Sequence, residues 1–255
     1  VGPLALTFPG GALEATLLAS VRFAAFLVLA PPFSHRGVPA PVKVALALGL
    51  ALAVAPGLDA EPASNVAVFL GALALQALVG AALGFLVAVV FAAVQSAGSL
   101  IDLFGGFQLA TAFDPMSLTS NAPFGRLYQT AAVTLLFVTD AYQVVLAGLV
   151  RSFQAVPLGV VPSTASLAET VAGAVVQMFL AALQVAGPLV VVLFLADVGL
   201  GLLTRVAPAL NAFALGFPLK ILLTLVLGGL AFVALPGVID ALADDAARAL
   251  SGARP

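Results

Sequence analysis

Long apolar runs, broken by prolines, glycines and a few charges, set the organisation of this chain. They predict six helices. The first covers 13–30 and is stopped by Pro31-Pro32; it reads as a retained helix, because Glu14 and Arg22 lie inside it and no small-residue cleavage site follows. The second, 42–55, ends at Pro56-Gly57 and is shorter than the ~20 residues a bilayer crossing needs. The third, 65–104, would extend roughly 60 Å, about twice the hydrocarbon thickness. It therefore either protrudes from the membrane or breaks, with Gly80, Gly84 and Gly98 as hinges. Gly80 and Gly84 also form a GxxxG pair that lets a second helix approach closely. The fourth helix covers 126–153 with Asp140 at its middle. The fifth, 166–195, is expected to be interrupted at Gly187-Pro188, and the sixth, 214–234, near Gly216-Phe217-Pro218, because proline removes a ladder hydrogen bond. The tail 237–255 reads as a short amphipathic helix.

Composition turns these runs into a class. The 255 residues are 63% hydrophobic and 8% charged, with a mean hydropathy of +1.23, against about 25% charged residues in soluble domains. The fold class is an all-α integral membrane protein of about six hydrophobic helices, some broken, ending in a helical hairpin. Cysteine is absent, which excludes disulfides, thiolate metal sites and a thiol nucleophile. A single histidine, His35, argues against a histidine metal cluster. The formal charge of −2 and scattered basic residues give no footing for nucleic acid. Arg36 and Lys43 follow the first helix, Arg205 and Lys220 lie between the fifth and sixth, and the loop after the second is acidic. The pattern predicts an outside N-terminus with both basic loops in the cytoplasm.

Catalysis finds no converging set of groups: there is no GxSxG elbow, no Ser/Lys dyad, no phosphate-binding glycine motif, and no cofactor or metal is expected. The intramembrane ionisable residues Arg22, Asp140 and Asp197 must face protein or water. They fit a transporter's substrate or proton site, contacts to neighbouring subunits, or polar residues satisfied inside the chain's own bundle. Discontinuous helices suit a secondary transporter of a small solute, although the inverted repeats that accompany that device are absent. The stretch 105–125, GGFQLATAFDPMSLTSNAPFG, carries three phenylalanines that a loop in water would not need. It reads as a loop filling a protein-lined cavity.

Three segments carry a resemblance. VRFAAFLVLAPPFSHRGVPAPVKVALALGLALAVAP (21–56), GGFQLATAFDPMS (105–117) and LADVGLGLLTRVAPALNAFALGFPLK (195–220) resemble the FliR-type export-gate component of bacterial flagellar and injectisome type III secretion. The third segment matches most specifically, as D-x-x-x-G-x-x-x-R-x-A-P-x-x-N-x-F-x-x-G-F-P-x-K. Tyr142 and Ala209 depart from the family's frequent histidine and glutamine. The resemblance implies a structural subunit of the inner-membrane export gate, overall likeness leaning flagellar. FliP-like and FliQ-like subunits, an FlhB-like switch protein and unfolded export substrates would be its partners. It implies a FliP-like part (1–165), a FliQ-like hairpin (166–236) and an amphipathic tail (237–255). The loop 105–123 would reach into the channel as a plug, with Gly105 and Gly106 allowing the bend, Phe107, Leu109, Phe113 and Met116 excluding water, and Asp114-Pro115 fixing a turn. Assembly contacts would fall at Arg22, Asp140, Asp197, Arg205, Pro208, Asn211, Gly216, Pro218 and Lys220.

Overall fold

The computed structural model describes residues 10–35, 37–58, 64–108, 122–160, 164–207 and 212–251. They form seven α-helices: α1 Gly10–Leu29, α2 Ala40–Val54, α3 Val66–Phe104, α4 Pro123–Val138, α5 Ala141–Ala155, α6 Thr164–Val206 and α7 Ala212–Leu250, with a 3-10 turn at Ala55–Gly57. Among the described residues there is no strand. Among the described residues five helical stretches are long and apolar enough to cross a membrane, and six if α4 and α5 count as one broken span. The all-helical membrane class follows, since a helix closes its own backbone hydrogen bonds in hydrocarbon.

The chain divides into two compact units, one of Val1–Val89, Asp140–Ala172 and Ala243–Pro255, the other of Val90–Thr139 and Gly173–Leu242. In the first, α1 buries Ala15, Leu18, Ala19, Arg22, Phe23, Phe26 and Leu27. These recur every three or four residues, so they lie on one helix face. The partner on part of that face is α3. A Cβ on Gly80 would collide with the Arg22 carbonyl oxygen, and one on Gly84 would stand 2.8 Å from the Phe26 carbonyl oxygen. Gly80 and Gly84 thus form a groove for α1 and are not hinges: α3 runs unbroken for 39 residues. Gly148 plays the same part between α5 and the end of α7, where an added Cβ would sit 2.8 Å from the Ala247 Cα. That end of α7 buries Ala243, Ala246 and Leu250 and leaves Asp244, Asp245 and Arg248 exposed. No separate short helix begins at 237: these residues continue α7, which runs to Leu250.

In the second unit the end of α3 lies against the start of α4. A Cβ on Gly98 would come within 2.6 Å of the Phe124 carbonyl oxygen and 2.8 Å of the Gly125 backbone. A row of rings runs from Phe107 through Phe124 and Tyr128 to Phe232, with centroids 5.5, 6.3 and 6.4 Å apart and edges meeting faces, the geometry that aromatic quadrupoles favour.

The breaks fall elsewhere than the prolines suggested. Pro188 lies inside α6, and Pro218 and Pro236 inside α7. One missing N–H costs one rung, and in a long apolar run neighbouring rungs hold the helix. The interruption comes instead within the predicted fourth helix, at Thr139-Asp140. Asp140 takes φ 57° and ψ 13°, a left-handed conformation that short polar side chains tolerate better than others. Its carbonyl accepts the Gln143 N–H at 2.9 Å as α5 begins.

Candidate functional site

Two buried charges and one ion pair organise the polar chemistry. Arg22, Gln76, Ser152 and Asp102 are all fully buried. In the first unit Arg22 sits at the centre of the α1 face. Its Nε donates to Gln76 Oε1 at 2.7 Å, Nη2 to the Val156 carbonyl at 2.8 Å, and Nη1 more loosely to Ser152 Oγ at 3.5 Å. The guanidinium carbon lies 4.1 Å from the centroid of the Phe153 ring, which stacks obliquely on Phe23. Gln76 Nε2 in turn donates to the Leu158 carbonyl at 2.8 Å. Val156 is the residue at which α5 ends. Arg22 therefore places its positive charge at the negative end of the α5 dipole and satisfies a carbonyl there. The π face of Phe153 supplies further negative potential.

Asp102, near the end of α3, does the opposite for α4. Oδ1 accepts the Phe124 N–H at 3.0 Å, and Oδ2 accepts the Gly125 N–H at 2.8 Å. Those N–H groups belong to the first turn of α4, where no intrahelical acceptor exists. The residue before the helix, Ala122, offers no side-chain cap. A carboxylate from another helix supplies it, with the sign the helix N-terminus favours. The Asp102 carbonyl also accepts the Phe107 N–H at 3.0 Å, and the Phe107 ring meets Phe124. Gly106, with φ 83°, provides the left-handed step that turns the chain back. Gly105 is pressed against α7: an added Cβ would be 2.6 Å from Thr224 Oγ1. The Gly228 carbonyl accepts the Tyr128 hydroxyl at 3.3 Å.

The third feature is an ion pair on the hairpin. Lys220 Nζ of α7 stands 2.6 Å from Asp197 Oδ1 of α6, with the side chains 22% and 44% exposed. Gly216, buried on α7, faces Leu200 of α6, where an added Cβ would be 3.0 Å from Cδ1. Arg205 and Pro218 are exposed, as is Asp140. Sequence reasoning named Asp197 and Lys220 separately without pairing them. Gln76, Ser152 and Asp102 escaped it. One signal was available for Asp102: a helix that opens on Ala122-Pro123, without a capping residue, next to an acid inside an apolar run. Of the loop residues, Gly105, Gly106 and Phe107 are placed as described; Leu109, Phe113, Asp114, Pro115 and Met116 lie outside the described residues, as do Pro208 and Asn211.

Among the described residues no cluster of histidines and carboxylates could hold a metal. Arg22 and Asp102 each tie the end of one helix to another helix. These features define a multi-span helical membrane protein whose interior polar groups serve its architecture. The chain belongs to the family described as bacterial export proteins, family 1, whose model matches residues 13–246. It is similar to the flagellar biosynthetic protein FliR of Bacillus subtilis (strain 168), at 35% identity over 217 residues and 84% of each chain. With FliR of Escherichia coli (strain K12) it shares 38% identity over 207 residues, 79% of this chain and 77% of that one. With the Yop proteins translocation protein T of Yersinia pestis it shares 31% over 153 residues, 57% and 56% of the two chains.

Proposed function

We propose that this chain is a structural subunit of the flagellar type III export apparatus, seated in the bacterial inner membrane, where it helps to form and close a channel for unfolded export substrates. The observation that carries this reading is the likeness to FliR proteins over some four-fifths of the chain. The physical features agree with it. On this reading the energy for export comes from elsewhere. Arg22, Gln76 and Asp102 are tied to backbone groups and side chains of the chain itself. The solute-transporter alternative drew on discontinuous helices, and α6 and α7 continue through Gly187-Pro188 and Gly216-Phe217-Pro218.

On this reading FliP-like and FliQ-like subunits are the neighbours, with an FlhB-like protein at the basic hairpin turn. Residues 1–165 act as the FliP-like part and 166–236 as the FliQ-like hairpin. In the apolar windows of α6 and α7 only 22% and 17% of the residues are buried, against 56% in α3, so lipid or neighbouring subunits cover the hairpin. Asp197, Arg205 and Lys220 offer charge on that surface, and Arg22 acts on partners indirectly, by holding α1, α3 and α5 in one shape. The segment 105–123 closes the channel with Phe107, Leu109, Phe113 and Met116, each worth about 1.5–3 kcal/mol when fully buried. The test is deletion of 109–121 in cells that make the whole apparatus. Ion leakage through the membrane should rise while the subunit still co-purifies with its partners. A complex that assembles and stays tight without the segment would refute the channel-closing role.

A further inference from the structure

Glutamine occurs in two settings in this fold. Gln76 on α3 is buried and has both ends of its amide used, one by Arg22 and one by the Leu158 carbonyl. Gln177 and Gln184 on α6 are exposed, and among the described residues neither amide has a hydrogen-bond partner. They stand two helical turns apart, so both lie on one side of α6. Pro188, also exposed, continues that line by one more turn. Lacking an N–H, it leaves the Gln184 carbonyl without its usual donor. The other side of α6 carries the buried Ala182, Ala186, Leu189 and Leu193, so the line points away from the packed core of its unit.

Hydrocarbon, water or protein could cover this line. Hydrocarbon offers no hydrogen bonds, and Gln184 stands near the middle of the 43-residue α6, far from either end. Water would suit the amides but not their neighbours, because Phe179, Leu180, Leu183 and Val191 are 59%, 47%, 55% and 56% exposed on the same stretch. A helix of another protein meets both demands, with apolar packing around hydrogen-bonded amides. We propose that this side of α6 is the docking surface for a helix of a neighbouring subunit, one that carries amide or hydroxyl side chains two turns apart in an otherwise apolar run. An amide is the fullest match, since it both donates and accepts. Gly173, one turn before Gln177, has open space where a Cβ would stand and lets the partner's backbone come near that end. The proposal rests on the reading of the chain as an assembly subunit and deepens it: it names a surface of the hairpin that neighbours cover and lipid does not.

The chain has no cysteine, so Ala181→Cys, between the two glutamines on the same side, takes a nitroxide label at a single place. In membranes of cells that make the whole apparatus, the label should be shielded from oxygen, which reports lipid, and from a water-soluble nickel chelate, which reports water. Gln177→Leu combined with Gln184→Leu keeps the bulk and should leave the chain's own melting unchanged. Its share in the purified complex should fall about three- to tenfold, the range for one to two hydrogen bonds between membrane helices. Gln177→Asn with Gln184→Asn keeps the amides and should recover part of the loss. Pro188→Ala, which returns an N–H to the Gln184 carbonyl, should lower assembly by less than the double leucine variant. Free access of oxygen to the label would give the face to lipid, and access of the nickel chelate would give it to water; either overturns the proposal. Undiminished assembly of the double leucine variant, or a fall in its own melting, overturns it equally. A labelled chain that melts normally but no longer assembles supports it, because the label then occupies the partner's place. A native chain that purifies with no other membrane protein would instead remove the assembly reading beneath it.

Discussion

Arg22 and Asp102 are both charges taken fully out of solvent, and neither meets a side chain of opposite charge among the described residues. Each is answered by a helix end of the appropriate sign, the C-terminus of α5 for Arg22 and the N-terminus of α4 for Asp102. The difference lies in how the bonds are distributed. Arg22 spreads its donors over α3, α5 and the residue that ends α5, with an aromatic face beneath. Asp102 aims both oxygens at two successive amides. An arginine's fork of donors suits it to joining several elements, while a carboxylate's paired acceptors suit it to one turn of backbone. The first unit is therefore knotted at its centre and the second is pinned at one edge, so damage should spread differently in the two.

The largest effect should follow Arg22→Met, which keeps the bulk but strands Gln76 Oε1 and the Val156 carbonyl. At about 1–3 kcal/mol for each buried acceptor left without a donor, thermal melting of the solubilised complex should fall steeply, and Arg22→Lys should recover only part. A loss below about 1 kcal/mol would show that the network contributes little. Asp102→Asn should cost about 1.5–3 kcal/mol, the worth of one charge-assisted bond, with unfolding confined first to the α4 start when followed by limited proteolysis. Gly98→Ala sharpens the contrast from the other side. It leaves every hydrogen bond in place but pushes a methyl group at the Phe124 carbonyl, costing about 1–3 kcal/mol by overpacking and weakening the same edge. Smallest of all should be Lys220→Met on the hairpin: its partly exposed pair with Asp197 should be worth about 1 kcal/mol or less, so melting should hardly move.

The sequence was most legible where periodicity and composition speak together. The apolar runs located α1, α2 and α3 to within a few residues, and the GxxxG spacing of Gly80 and Gly84 marked a close helix crossing. Prolines misled. Pro188, Pro218 and Pro236 are carried inside helices, while the real break at Asp140 depends on one residue's φ, which no local apolar count reveals. The partners of the two buried charges were hidden for a related reason. Val156, Leu158, Phe124 and Gly125 contribute backbone groups, and a backbone group has no signature in side-chain chemistry. Gln76, overlooked, was the one side-chain signal at hand: an amide inside an apolar run, four residues before Gly80 on the same side of α3. The hairpin pair needed the register of α6 against α7, which only packing supplies.

Hydrogen exchange at the Phe124 and Gly125 amides tests the central claim most directly, because no acceptor within α4 can protect them. With Asp102 present both should exchange slowly. Asp102→Asn should release at least one of them, and Arg22→Met should leave both slow. Rapid exchange in the native chain, or unchanged protection in Asp102→Asn, would contradict the account.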